Sequence, residues 1–370
     1  MKVLHVSGAN SWGGNEQQLL YLVEELGKYG VEQYLFCFEN TTLHQKALDL
    51  PVKIRAIRKS KPYSTRYAKA LSHLIREEKI DLIHLHTSDS VTGFMMTDMF
   101  HSLKTPTVFA KKGISSRVSA LSKIKYNYRN INRIICVSNY VKRNFSPHIK
   151  KKNLHKLVTV HDGVKVEKIP PAPVFTLREK LGLGEGTYLI GNIANHTKAK
   201  DLPTLILMMD HLVNNLSIKD VHLVQIGEFS RLTNELRQLI ENRKLKDHIT
   251  LLGFTENASS FLPQFDVFVI SSGREGGPTS LIEALYKKTP VISTRVGIVE
   301  DAIIDGENGF STPVGEPEAL AQKIKLLKED PALAQKFREL SYTTFLNNFT
   351  AEGLGKQTLK VYEDVINDYK

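Results

Sequence analysis

Short apolar runs alternate with stretches of helical period along nearly the whole 370-residue chain, and this alternation limits the fold more than any single motif. Strands are expected over 2–7, 34–38, 52–57, 81–86, 107–110, 133–138 and 158–161, then over 187–193, 221–226, 249–252, 267–270 and 291–294. Helices are expected over 15–26, 67–78 and 139–145, then over 202–212, 234–242, 317–327 and 351–369. Strand following helix in this way implies an α/β protein built on doubly wound, mostly parallel sheets. Ligand loops are then expected at the C-terminal ends of the strands.

The stretch 265–286, FDVFVISSGREGGPTSLIEALY, is where chemistry concentrates. Its strand, 267–270, has no polar alternation and so reads as buried on both faces. The turn Gly273-Arg274-Glu275-Gly276-Gly277-Pro278 follows, and Ser280 to Ala284 read as a first helical turn. Strand, glycine turn and helix start aim free backbone N–H groups and a positive dipole end at an anion. Glu275 and Glu283 flank that place; carboxylates repel phosphate but accept hydrogen bonds from sugar hydroxyls. A plainer reading stands beside this one: Ser280-x-x-Glu283 also spells a capping box, in which Glu283 only closes the helix start.

A proline-rich seam, Lys168-Ile169-Pro170-Pro171-Ala172-Pro173, cannot continue regular structure and places a boundary at 165–175. The expected domains are 1–168, joined by a last helix 352–370, and 175–350. Charge changes at the same place. Residues 1–165 carry 27 Lys+Arg against 12 Asp+Glu, and residues 166–370 carry 23 against 27. Segment 104–156 holds 14 Lys+Arg and no acid, with Tyr126, Tyr128 and Phe145 interleaved. Anionic membrane, nucleic acid and plain solvation compete for this segment; each cation near an anionic bilayer contributes ~1 kcal/mol. Nucleic acid is disfavoured because no binding-fold signature accompanies the charge. The two cysteines, Cys37 and Cys136, sit in apolar surroundings, which suits buried thiols in a reducing compartment. The start MKVLHVSG is too short and too soon polar for a signal peptide, and no apolar run approaches 18 residues, so a cytosolic protein is expected.

Several chemistries are disfavoured by what is missing. There is no G-x-G-x-x-G, no G-x-x-x-x-G-K-[ST], no Asp-x-Asp, no H-E-x-x-H and no cysteine cluster. No metal ligand set is evident, and no cofactor is expected. Gly13-Gly14 before a helix can bring backbone close to a phosphate. Lys198 and Lys200, in the loop after 187–193, can neutralise a diphosphate as point charges, although most loop lysines are merely solvated. His84 and His86 are expected to alternate across their strand, so that only one faces a given side.

Taken together these pieces resemble the retaining glycosyltransferases of glycosyltransferase family 4, which have the GT-B fold. The likeness runs from Gly13-Gly14-x-Glu16 through DLIHLH, ICVSNYV and HDGV to Lys200-Asp201. It continues through LLGF at 251–254, the Glu275–Glu283 stretch, Pro290-Val-Ile-Ser-Thr and Asp305-Gly-Glu-Asn-Gly309. The resemblance implies two Rossmann-like domains facing across a cleft, with the last helix crossing back to the first. The second domain then binds a nucleoside diphosphate sugar. Glu283 holds the ribose and Glu275 the sugar hydroxyls. Lys200 and the backbone of Gly276, Gly277, Pro278, Thr279, Ser280 and Leu281 hold the diphosphate, with Gly253 and Phe254 lining the donor site and Gly14 touching the phosphates. The family's usual Arg stands here as Asn195, with Lys198 in a position to substitute. Where many members have a histidine after the fifth strand this chain has Lys111, implying a cation near the reacting sugar. Asp162 replaces a usual Asn, and VGIVED lacks the second glycine of a common pair.

The expected reaction moves a hexosyl group to an acceptor hydroxyl with retention and without metal, the catalytic residues being Glu275, Lys200 and Lys111. The expected acceptor is a glycan or lipid-linked molecule of bacterial surface assembly (lipopolysaccharide, capsule or O-antigen), met at the inner face of the membrane. A nucleotide-sugar epimerase or another GT-B enzyme is the alternative; it would convert donor with no acceptor present. A glycosidase on the two glutamates would need no nucleotide, and a binding module would show no turnover and a steep salt dependence.

Overall fold

The computed structural model describes residues 1–114, 119–171, 173 and 175–369, which form two compact units. The first comprises Met1–Gly163 with Thr350–Lys370, and the second Val164–Phe349. Ala172 of the proline seam and Lys370 lie outside the described residues.

The first unit is built on seven strands: β1 (Lys2–Val6), β2 (Glu32–Phe38), β3 (Lys53–Ile57), β4 (Leu82–Leu85), β5 (Thr107–Lys111), β6 (Arg133–Cys136) and β7 (Leu157–Thr159). They lie in the order β3-β2-β1-β4-β5-β6-β7, every pair parallel. The second unit has six: β8 (Tyr188–Ile193), β9 (Val221–Ile226), β10 (Ile249–Gly253), β11 (Val267–Ile270), β12 (Val291–Thr294) and β13 (Phe310–Thr312). Their order is β10-β9-β8-β11-β12-β13, again all parallel. Chain order reverses between β1 and β4 in one sheet and between β8 and β11 in the other. These are the switch points at which loops diverge and leave a crevice.

Both sheets are covered on both faces, so most strand side chains are buried and apolar; β3, with Lys53 and Arg55, is an exposed exception. Phe109, Ile134 and Leu157 join one core of the first unit, while Val3, Val108 and Ile135 join another on the opposite face. In the second unit Val267 and Val269 face one core, and Phe268 and Ile270 the other. Gly191 inside β8 is required because a Cβ there would come within 2.1 Å of the Phe265 ring. The helix Ala351–Tyr369 belongs to the first unit. It lies on Gly14–Lys28 so closely that a Cβ on Gly355 would sit 2.6 Å from the Glu25 Cβ, and it buries Tyr362 and Val365 with Val3, Leu22 and Leu26.

Among the elements that escape the sequence reading, four have a clear physical reason. Thr42–Ala47 and β13 are too short to show a period. Ser88–His101 mixes glycine, threonine and methionine around its circumference and leaves Met99 and Phe100 exposed, so its apolar face is blurred. Pro331–Asn348 buries only Phe337, Ser341 and Phe345, a stripe too thin to register. Cys37 and Cys136 are buried free thiols, and burial pushes each up to about 12.

Candidate active site

In the second unit the two loops that leave the switch point are clipped together. The chain leaves β8 through Asn195–Thr197, makes a single 3₁₀ turn at Lys198–Lys200, and enters the helix Leu202–Asp210 through Asp201 in the left-handed region (φ 46°). The other loop leaves β11 through Ser271 and Ser272. The Ala199 carbonyl accepts from the amides of Gly273 (2.9 Å) and Arg274 (3.2 Å), and the Ser271 hydroxyl donates to the Lys200 carbonyl (3.1 Å). This stitching holds Lys200 against Glu275: the ammonium donates to Glu275 Oε1, which also accepts from the Ser272 hydroxyl at 3.1 Å. Lys200 and Glu275 are 75 residues apart in sequence yet form one ion pair, largely shielded from solvent.

The glycine turn after Glu275 is held from behind. Gly297 has φ +57°, and a Cβ there would meet the Gly276 carbonyl oxygen at 2.5 Å. The loop after β12 therefore supports the turn by backbone approach, and the one glycine of VGIVED is the residue that permits it. The helix Thr279–Tyr286 then begins at Pro278 with no side-chain cap. The capping box spelled by Ser280 and Glu283 is not formed: the helix starts two residues earlier than that reading requires, and no side chain accepts at its N-terminus. The helix start has no side-chain cap, so its dipole and first-turn N–H groups together favour an anion beside the turn that follows Glu275.

Glu283 lies one turn further along this helix. Among the described residues its side chain makes no hydrogen bond and no ion pair, although it is half-buried. Burial pushes its carboxyl up to about 7, against the pull of the nearby Lys287 ammonium. A desolvated carboxylate without a partner costs free energy that an incoming hydroxyl pair returns. A raised carboxyl beside a switch point is the ground on which Glu283 is a site candidate.

The other expected residues are distributed less tightly. Lys198 is exposed and lines a cavity of about 470 Å³ with His196, Asp201 and Glu235, on the side of the helices Leu202–Asp210 and Thr233–Asn242, and does not join Lys200 and Glu275. Asn195 is engaged by the backbone, its Oδ1 accepting from the Glu228 amide at 2.9 Å. His196 is a structural pin between Thr233 and Gln225, at 2.8 Å from each. Gly253 takes a left-handed φ of +78° at the end of β10, and the next residue, Phe254, is 76 % exposed, an aromatic face without protein cover. Ser272 and Gly297, which position Glu275 and its turn, carry no sequence signal that distinguishes them from ordinary loop residues.

In the first unit Gly14 opens the helix Gly14–Lys28, behind an extended Gly13. Lys111 ends β5 with its ammonium over the Phe145 ring, 5.3 Å from the centroid, and burial pulls its pKa down. The neighbouring Lys112 points to the other face and pairs with Asp162. The expectation for the histidines is wrong. Residues two apart on a strand share a face, and the rings of His84 and His86 lie together, tilted by 39° with centroids 4.0 Å apart, joined by His5. His5 Nδ1 lies 3.0 Å from His86 Nε2, His5 Nε2 lies 3.1 Å from Gln33 Oε1, and His84 Nδ1 lies 2.6 Å from the Tyr362 hydroxyl. Burial drives His5 down to about 4 and the other two well below their usual value. Among the described residues these three alone bring metal-type ligand atoms within 4.8 Å of one another. The Lys112 ammonium, which disfavours positive charge on His84 and His86, equally opposes a dication.

Comparison with known proteins adds an independent line. A model of the glycosyl transferases group 1 matches residues 174–344, and one of glycosyltransferase family 4 matches residues 12–168. An N-acetyl-alpha-D-glucosaminyl L-malate synthase of Bacillus anthracis is 24% identical over 84% of this chain and 81% of its own. A lipopolysaccharide core biosynthesis glycosyltransferase, LpsE of Rhizobium meliloti, is 24% identical over 96% of both. Among solved structures, Anabaena Alr3699/HepE in complex with UDP and glucose superposes with a TM-score of 0.82 at 17% identity, over 98% of this chain and all of that one.

Proposed function

The chain belongs to the glycosyl transferases group 1, of family 4, and on that premise we propose that it transfers a hexosyl group from a UDP-sugar to an acceptor hydroxyl with retention of configuration, without a metal ion. The observation that carries this reading is the meeting of Lys200 and Glu275 beside an uncapped helix start, with a partnerless Glu283 one turn on. In the free protein the ammonium and the carboxylate satisfy each other. A diphosphate placed at the helix start takes over the Lys200 charge, and Glu275 is released toward the sugar hydroxyls. Glu283 takes the ribose hydroxyls, and Phe254 offers its face to the base.

In the step itself the acceptor oxygen bonds to the anomeric carbon as the bond from that carbon to the diphosphate oxygen breaks. The acceptor proton passes to the departing phosphate. The protein then needs no strong general base. Its task is to stabilise charge growing on the leaving diphosphate, for which a preorganised ammonium and fixed backbone donors suffice.

Relatives of this family include a lipopolysaccharide core enzyme, which supports a surface glycan as the product here. Contact with the anionic inner face of a membrane fits the first unit. Leu121 and Ile124 of the helix Ala120–Tyr126 and Met99 and Phe100 of Ser88–His101 are exposed, with Lys104, Lys123 and Lys150–Lys152 exposed in the same unit. No helix among the described residues is long and apolar enough to cross a membrane. Thermal unfolding with UDP-, GDP- and ADP-sugars tests the donor, because a ligand that binds only the native state raises its apparent stability. UDP-sugars are expected to stabilise; no response to any of the three would overturn the reading. Flotation with anionic vesicles tests the membrane contact, which is expected at low salt and lost at high salt.

A further inference from the structure

Strand β12 ends in two polar residues, Ser293 and Thr294, that no solvent reaches. Valine would fill either place with no polar atom to satisfy, so a hydroxyl there needs a partner. Ser293 finds one locally, donating to the Thr294 carbonyl at 2.9 Å. Thr294 reaches sideways instead, to the loop that leaves the neighbouring β11, and its hydroxyl donates to the Ser272 carbonyl at 2.7 Å. Among the described residues no other group donates to that carbonyl. Ser272, itself buried, turns its own hydroxyl to Glu275 Oε1 at 3.1 Å. A relay of two hydroxyls thus runs from the end of β12 to the carboxylate.

The relay matters once a donor arrives. In the free chain Glu275 Oε1 accepts from both the Lys200 ammonium and the Ser272 hydroxyl, and Oε2 accepts from no group among the described residues. A diphosphate that takes over the Lys200 charge removes the stronger of these two bonds. A glutamate released from its cation regains rotamer freedom, which sugar binding must then take away again. With Ser272 still on Oε1 the carboxylate keeps its direction and presents Oε2 as the free acceptor. That bond is only as fixed as the Ser272 backbone. Thr294 holds this backbone at the carbonyl, and the next residue, Gly273, is held by its amide, which donates to the Ala199 carbonyl at 2.9 Å.

We propose that Thr294 and Ser272 are positioning residues for the transfer: they keep Glu275 aimed at the donor sugar after the diphosphate has drawn Lys200 away. The affinity that the sugar adds to the nucleotide then depends on both hydroxyls, and the affinity of the nucleotide alone does not. This rests on the transferase reading, in which Glu275 meets the sugar hydroxyls. Loss of the Ser272 hydroxyl, a donor to a charged group, weakens the sugar contribution about tenfold. Loss of the Thr294 hydroxyl, a donor to a neutral carbonyl, weakens it severalfold.

The test is calorimetric titration of the full chain with UDP and with UDP-glucose, UDP-galactose and UDP-N-acetylglucosamine. The quantity read is the dissociation constant of the UDP-sugar that binds wild type most tightly, divided by that of UDP. Glu275→Ala is expected to raise this ratio about tenfold or more, Ser272→Ala about tenfold and Thr294→Val severalfold, with UDP affinity held within about twofold in the last two. Thr294→Ser keeps the hydroxyl and is expected to restore the wild-type ratio. In a Glu275→Ala background neither Ser272→Ala nor Thr294→Val should raise the ratio further, because all three act through one carboxylate. Equal losses of UDP and UDP-sugar affinity, or effects that add to that of Glu275→Ala, overturn the proposal. Ser272→Ala leaves β12 untouched, so the relay is still tested if Thr294→Val does not fold. A ratio shifted by Glu275→Ala but not by Ser272→Ala or Thr294→Val removes the relay alone. A ratio unmoved by Glu275→Ala, or a wild type that binds no UDP-sugar, refutes the transferase reading of Glu275 and the relay with it.

Discussion

Replacing Glu283 by glutamine should stabilise the free protein and weaken its hold on the donor, and both effects have a magnitude. Burial raises this carboxyl to about 7 from an ordinary 4.5. The native state therefore binds more protons than the unfolded chain between those values, and stability falls as pH rises through that window. At 1.36 kcal/mol per pH unit the ionised, partnerless carboxylate costs the fold about 3 kcal/mol above pH 7, a ceiling because the side chain is only half-buried. Glutamine keeps the shape and removes the charge. Chemical denaturation of wild type and E283Q should differ by up to about 3 kcal/mol at pH 8.5 and by little at pH 4.5. In a unit of this size each kcal/mol moves the midpoint of thermal unfolding by roughly 2–4 °C. UDP affinity at pH 8.5 should fall about tenfold, the worth of hydroxyl bonds to a charged acceptor. A variant no more stable than wild type at pH 8.5, or equally stabilised at both pH values, would refute the argument that a desolvated carboxylate waits for sugar hydroxyls.

Lys200→Ala removes the ammonium that meets the leaving diphosphate, and kcat/KM should fall roughly 10²-fold or more; wild-type turnover would remove Lys200 from the step. Gly297→Ala forces a Cβ onto the Gly276 carbonyl at a left-handed φ, so denaturation should show a loss of roughly 1–3 kcal/mol together with weaker UDP binding. A loss of stability with UDP affinity intact would show that the glycine turn does not form the anion site. Transfer should persist in excess EDTA, and an EDTA-sensitive rate restored by a divalent ion would contradict the metal-free step.

Alternation of strand and helix was enough to place every described strand but β13, because a short run rich in apolar residues stands out between helical periods. Loops were harder. Val267–Ile270 and the glycine turn after it announce a site, but the partnership of Glu275 with Lys200 depends on β8 and β11 being neighbours, which no local pattern states. The resemblance to family 4 supplied that link. Glu283 was ambiguous between cap and ligand until the helix proved to begin at Thr279 and leave the carboxylate unpaired. For His84 and His86 the strand was read correctly and its periodicity misapplied, so the contact with His5 was missed. A cavity lined by Ser60 and Tyr67 gathers residues from loops after several strands and from the helix Thr65–Glu77, each unexceptional where it stands in sequence.

The excursion of the chain through the second unit between Gly163 and Thr350 bears on how the protein is made. Tyr362 and Val365 complete the core around Val3 and Leu22, so the N-terminal sheet leaves the ribosome with one flank uncovered and waits for the last twenty or so residues. The inserted unit is complete before then and can fold while its host is still open. A fragment ending at Gly163 would carry that bare flank, whereas splicing Gly163 directly to Thr350, whose backbone already lies against it, would restore the missing helix.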